Sequence, residues 1–194
     1  MSDVLQKLIT AQAASNSDWA LYISPDIDKL PLEIQRFDNP YLPYMRAIYT
    51  ATQDLVCAYV LDFGAYLRLG AAGAVALERS IDLIGDSHVV ILDAAIASTR
   101  YAGLWEETAY GCDALTIADA RVLSAYQARS DRVPFLMTTD AVDSRTAPVY
   151  WTEARTFGIE TCRVRLLPEN ILLKARSLTF EETLRKAVAE HIRG

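Results

Sequence analysis

The apolar run Val89-Val90-Ile91-Leu92 leads straight into Asp93. A carboxylate at the end of a buried strand has three kinds of chemistry open to it: it can accept hydrogen bonds, orient a neighbouring acid or base, or ligate a hard cation. Ser24, Asp62, Asp119, Thr138, Thr139 and Asp140 stand at comparable places, each closing or following an apolar run. Parallel α/β folds carry their sites at the C-terminal ends of strands. Ser24, Asp62, Thr138 and Thr139 are therefore candidate substrate-binding residues. Asp93, Asp119 and Asp140 are weak candidates for a shared Mg²⁺ site built from oxygen ligands. The competing reading is structural: Asp119 and Asp140 cap or turn the segments that follow them, and Asp93 accepts hydrogen bonds from Ser98, Thr99 or backbone amides. No cofactor is expected.

One absence limits the chemistry further. Between Lys29 and Lys174 the sequence contains no lysine, so no strand in that interval can present an ammonium group. Arginine does not replace lysine as a proton donor, because it holds its proton too tightly. His88 opens its strand, at the end away from the strand C-termini, and His191 lies in the last helical segment. Both read as packing or surface histidines.

The elements that position these residues alternate. Ser2-Asp3 caps a first helix with apolar positions Val4, Leu5, Leu8 and Ile9. Strands are expected over 19–23, 55–60, 88–93, 113–117, 133–138 and 159–167. Helices are expected over 44–52, 71–84, 98–110, 119–128 and 148–157, the last ending at Gly158 as a C-cap. Thr179-Phe180-Glu181-Glu182 starts a final helix to about residue 192 with a capping-box pattern. Residues 28–43, with Pro31, Pro40 and Pro43, form a loop. The near-continuous apolar strands point to a parallel sheet covered by helices. About six strands are recognisable, in one domain over residues 1–194 with no linker or repeat. Pattern alone does not separate a doubly wound sheet from a barrel.

Composition closes off other classes. With 52% hydrophobic residues the chain has enough apolar content for a core, and its net charge of −6 argues against a nucleic-acid partner. No run of 18 apolar residues is present, so no membrane span is expected, and the amphipathic start lacks the pattern of a signal peptide. Cys57, Cys112 and Cys162 are odd in number and have no metal-ligand spacing. Cys57 and Cys112, beside apolar runs, read as small buried hydrophobes, and the setting as reduced and cytoplasmic. Trp19, Trp105 and Trp151 read as core or dimer packing, and the amphipathic stretch Tyr41–Tyr49 as a cover for one end of the fold or a partner contact.

Three stretches carry a family resemblance. DLVCAYVLDFGAYLRLGAAGAVALERSI at 54–81 resembles the second strand and helix of the orotidine 5′-phosphate decarboxylase family, in its bacterial long-loop branch. VVILDAAIASTRYAG followed by GCDALTI resembles the third strand, its helix and the fourth strand, and ALYISPDIDKLP the first strand and its proline loop. The resemblance covers residues 18–118 well and the rest weakly. It implies a TIM barrel, and with about six strands recognisable the expectation is a reduced, TIM-barrel-derived fold whose incomplete sheet has edges to cover. It implies a carboxy-lyase activity in pyrimidine metabolism that needs no cofactor, and a homodimer with the site near the subunit interface.

This chain departs from the family at the residues that matter. The family ends its third strand in Asp-x-Lys-x-x-Asp, and its lysine stabilises and protonates a carbanion-like centre. Here Asp93 is the retained position, Ala95 stands where the lysine would be, and about three following residues are gone. Val60 and Ser24 replace a further lysine and an aspartate. Glycines after Gly111 number two, Gly158 and Gly194, so no glycine-rich phosphate loop remains. Glu169 falls where the family has a phosphate-binding arginine. The expectation is a catalytically inactive relative, a pseudoenzyme serving as a binding or interaction module. It would dimerise with itself or with an intact paralogue and take a small molecule at the barrel mouth. A repurposed barrel using its strand-end carboxylates, and a genuine decarboxylase whose lysine is Lys29 or Lys174, are the alternatives.

Overall fold

The computed structural model describes residues 2–105, 109–126, 131–174 and 179–194, with side chains for the same residues except 104, 105 and 174. The sequence readings for Trp105, for Lys174 and for parts of the helices expected over 98–110 and 119–128 lie outside this set. The elements, in order, are α1 (Asp3–Ser15), β1 (Trp19–Ile23), α2 (Leu32–Gln35), α3 (Tyr41–Thr52), β2 (Ala58–Asp62), α4 (Phe63–Leu67), α5 (Ala71–Ile84), β3 (Val89–Ile96), β4 (Ala114–Ile117), α6 (Leu123–Tyr126), β5 (Val133–Thr138), β6 (Val149–Trp151), β7 (Thr156–Ile159), β8 (Cys162–Leu166) and α7 (Phe180–Arg193).

Eight strands close a barrel in sequence order. Six consecutive strands, β1 to β6, are parallel. β7 runs antiparallel to both β6 and β8, and β8 then joins β1 in parallel. The expected six strands and open edges are therefore corrected: the sheet is complete and its edges pair with each other. The expected helix over 148–157 is a hairpin, β6 and β7 joined by a four-residue turn. The expected single strand over 159–167 is a second hairpin, with Glu160 at φ 50° in its two-residue turn. What is reduced is the helical cover. Residues 99–105 form a 3₁₀ helix where a longer α-helix was expected.

Alternation along each strand sorts side chains into two apolar clusters. Ala20, Ala58, Val60, Val89, Ile91, Ala114, Phe135, Phe157 and Leu166 pack inside the ring, where Val4, Leu5, Leu8 and Ala11 of α1 join them. Leu21, Ile23, Tyr59, Leu61, Leu92, Leu115 and Ile117 face outward onto α3, α5 and α7. α1 is tied to the strand N-termini by Lys7, whose Nζ lies 2.8 Å from Asp113 Oδ2. The same oxygen accepts the Val90 amide at 2.7 Å.

Helix contact with the hairpins of β6, β7 and β8 is slight: Gln12 of α1 donates to the Arg163 carbonyl at 2.7 Å. An aromatic and cationic layer covers their outer face. The Trp151 ring lies so close to Gly158 that a β-carbon there would meet it at 2.5 Å. The Arg163 guanidinium sits 4.7 Å over Trp151 and that of Arg165 4.1 Å over Trp19. Stacked arginines screen apolar ring faces while remaining wet themselves, which lets a sheet face do with little helical cover. Among the described residues no helix is long and apolar enough to cross a membrane. The three cysteines are unpaired, and burial pushes the Cys57 and Cys112 thiols up to about 12.

His88 is buried at the strand N-termini, where its Nε2 meets the Gln53 carbonyl at 2.7 Å between the rings of Tyr49 and Tyr59. Burial holds its pKa below the ordinary 6.5, against the raising effect of the carbonyl. Between those two values the unfolded chain binds more protons than the folded one, so stability rises with pH there. We expect the denaturation midpoint to fall as pH drops below about 6.5, and this acid sensitivity to be reduced in His88→Gln. Equal pH profiles for the two proteins would refute it.

Candidate functional site

At the C-terminal mouth of the barrel, Asp62 on β2 and Asp93 on β3 are register partners and share the inward face. Each carboxylate is held by hydroxyls. Asp93 Oδ2 accepts from the Tyr22 hydroxyl at 2.8 Å and Oδ1 from the Thr116 hydroxyl at 2.7 Å. Asp62 Oδ2 accepts from Ser24 at 2.7 Å, and its Oδ1 caps α4 by accepting the Ala65 amide at 2.9 Å. Tyr22 is inward because it alternates with Leu21 and Ile23. Burial, then the charges of Asp93 and Asp62, hold its hydroxyl well above its ordinary pKa, so it stays protonated and remains a donor.

Thr116 also explains the local backbone. β3 and β4 pair at Leu92–Leu115 and resume at Ile96–Ile117, leaving three residues of β3 opposite one of β4. The Thr116 hydroxyl accepts the amides of Ala94 at 3.1 Å and Ala95 at 2.9 Å while donating to Asp93. That uses the full capacity of a hydroxyl, one donor and two acceptors. Ala95 adopts φ 44° inside this bulge, a conformation an L-residue holds only where its surroundings impose it. The partners expected for Asp93, Ser98 and Thr99, are replaced by Tyr22 and Thr116.

A cavity of about 470 Å³ opens beside Tyr22, Ser24 and Asp62, with Asp26, Lys29, Tyr44, Glu169 and Asn170 also in its lining. Lys29 is at its rim, half exposed, and its ammonium pairs with Asp26 at 2.9 Å. Tyr150 on β6 is also inward, and its hydroxyl pKa is raised by burial and then by Asp93.

The remaining sequence candidates lie elsewhere. Thr138 is in phase with outward-facing Leu136, and its hydroxyl accepts the Asp140 amide at 3.0 Å. Thr139 and Asp140 are exposed. Asp119 caps a 3₁₀ turn and is gripped by Arg121, at 2.6 Å from Nη2. Asp93, Asp119 and Asp140 are not brought together, and among the described residues no three His, Cys, Asp or Glu side chains are set to hold a metal ion.

The sequence is 36% identical over 140 residues to an orotidine 5′-phosphate decarboxylase from Thermomicrobium roseum, covering 68% of this chain and 50% of that protein. It is 34% identical over 139 residues to the protein of the same name from Herpetosiphon aurantiacus, covering 70% and 50%. The chain belongs to the orotidine 5′-phosphate decarboxylase family. It spans about half the length of the curated relatives it matches. A solved structure from Toxoplasma gondii, assigned as an orotidine-monophosphate decarboxylase, superposes with a TM-score of 0.62 at 21% identity. That superposition covers 72% of this chain and 50% of the other, and supports the fold. No protein-family model matches the chain.

For this member of the decarboxylase family, sequence reasoning found Ser24, Asp62 and Asp93, which the barrel brings to one mouth. It missed Tyr22, Thr116 and Arg155, the last reaching the mouth through its ion pair with the cavity residue Glu169. Two of these had a visible signal. Tyr22 alternates with aliphatic residues in Trp19–Ile23, and Thr116 is the one polar residue of Ala114–Ile117. Arg155 had none, since it lies in a turn of a segment that reads as helix.

Proposed function

We propose that this chain is a decarboxylase-family member without decarboxylase activity, which acts as a binding or interaction module through its barrel mouth. It would work in the cytoplasm, as a homodimer or beside an intact paralogue. The observation that carries this reading is the set of partners around Asp93. Its two oxygens face the neutral hydroxyls of Tyr22 and Thr116, and no described ammonium group bonds to it. Lys7 is bound to Asp113 at the opposite end of the barrel, Lys29 to Asp26, and Lys186 lies 3.9 Å from Glu190 on α7. Ala95, where the resemblance puts the family's lysine, is locked into the bulge by its amide. A carbanion-like centre forming beside Asp93 would meet negative charge with no cation to offset it, which raises the barrier.

The experiment is direct. Incubated with orotidine 5′-phosphate, the protein is expected to release no carbon dioxide above the uncatalysed background. Release above background that scales with protein concentration would overturn the proposal.

A further inference from the structure

Arg155 lies in the turn between β6 and β7, at φ 49°, and its carbonyl accepts the Leu166 amide at 2.8 Å. The turn is thereby stitched to the end of β8 at the barrel mouth. The guanidinium makes an ion pair with Glu169 through Nη1 and a long contact of 3.4 Å to the Leu167 carbonyl through Nη2. Its Nε–H is buried with no partner among the described residues. Arginine presents five donors in a rigid fork suited to oxyanions, and among the described residues the anion bonded to it is Glu169. Glu169 also lines the 470 Å³ cavity with Tyr22, Ser24 and Asp62. Glu169 in that lining places the pair at the same mouth, and the Tyr150 hydroxyl pKa, raised first by burial and then by Asp93, is lowered by Arg155 and raised by Glu169. The Glu169 side chain is 72% exposed and that of Arg155 32%. A pair this wet contributes little to stability, so its removal will not disturb the fold.

We propose that Glu169 is a specificity determinant, an internal anion that occupies Arg155 and keeps phosphorylated ligands out of the mouth. Its carboxylate fills one side of the fork and repels a phosphate approaching the other. The inference rests on the mouth being the ligand site proposed above.

The test is calorimetric titration of inorganic phosphate and uridine monophosphate into wild type, Glu169→Ala, Glu169→Gln and the double variant Arg155→Ala/Glu169→Ala. Wild type is expected to bind neither at millimolar concentration. Glu169→Ala should bind uridine monophosphate at least about tenfold more tightly, with a gain that shrinks as salt rises. Glu169→Gln should show a smaller gain, and the double variant none. Wild-type affinity equal to that of Glu169→Ala would overturn the proposal, as would a gain that survives loss of Arg155, or no gain in either single variant. Carbon dioxide release by wild type would sink the functional reading. A wild type inert toward orotidine 5′-phosphate, with no gain in Glu169→Ala, would sink this inference alone.

Discussion

Phe157→Ala is expected to lower the unfolding free energy by about 3–5 kcal/mol. Phe157 is on β7, in the segment whose sequence reads as the C-terminal end of a helix. It is 1% exposed inside the barrel. Its ring stacks on Tyr150 at 4.2 Å and meets Phe135 edge-on at 5.0 Å. Truncation removes the transfer energy of a large ring and leaves a cavity that a closed ring of hydrogen-bonded strands cannot shrink to fill. A domain holds only about 5–15 kcal/mol in total, so the variant should stand near its unfolding limit. Urea titration of both proteins measures the loss. A change below about 1 kcal/mol, within the range of ordinary substitutions, would mean that the Phe157 ring does not fill the barrel.

Thr116→Val should cost about 1–3 kcal/mol despite its equal volume. Thr116 is fully buried, and the substitution strips the acceptor from two amides and a donor from Asp93 at once. Ala94, half-buried, and Ala95, exposed, would lose their hydrogen-bond partner inside the bulge, and water replaces it only in part because the Thr116 side is buried. Thr116→Ser keeps the hydroxyl and gives up one methyl, for about 0.8 kcal/mol. Hydrogen exchange separates the two: protection at the Ala94 and Ala95 amides should collapse in the valine variant and persist in the serine variant. Unchanged protection in Thr116→Val would show that the hydroxyl does not close the bulge.

Both predictions fall where local pattern misleads or is silent. Val149-Tyr150-Trp151 is three residues long and Thr156–Ile159 four, too short for a period of two to stand out from a helical one. The turn between them is held by Arg155 and the Leu166 amide, a contact set by the fold. In the parallel half the signal was strong. Buried runs such as Ala58–Leu61 and Val89–Leu92 are apolar on both faces because helices cover the outside, and the strands overlap the runs that indicate them. The same runs end in Asp62 and Asp93, so the carboxylates of the mouth were legible too. Ser24 was legible as well, whereas the pairing of Tyr22 and Thr116 with Asp93 was not, because a hydroxyl on a neighbouring strand leaves no mark beside the residue it serves.

The sequence by itself determined the α/β class, the family, the strand-end carboxylates and the absence of lysine over most of the chain, since each depends on residue identity or short-range order. Tertiary structure alone decided that eight strands close the ring, that β7 runs against its neighbours, and that Tyr22, Thr116 and Arg155 share the mouth with Asp93. Closure is a property of pairing between distant strands, and side chains meet across it through the twist and register of the whole sheet.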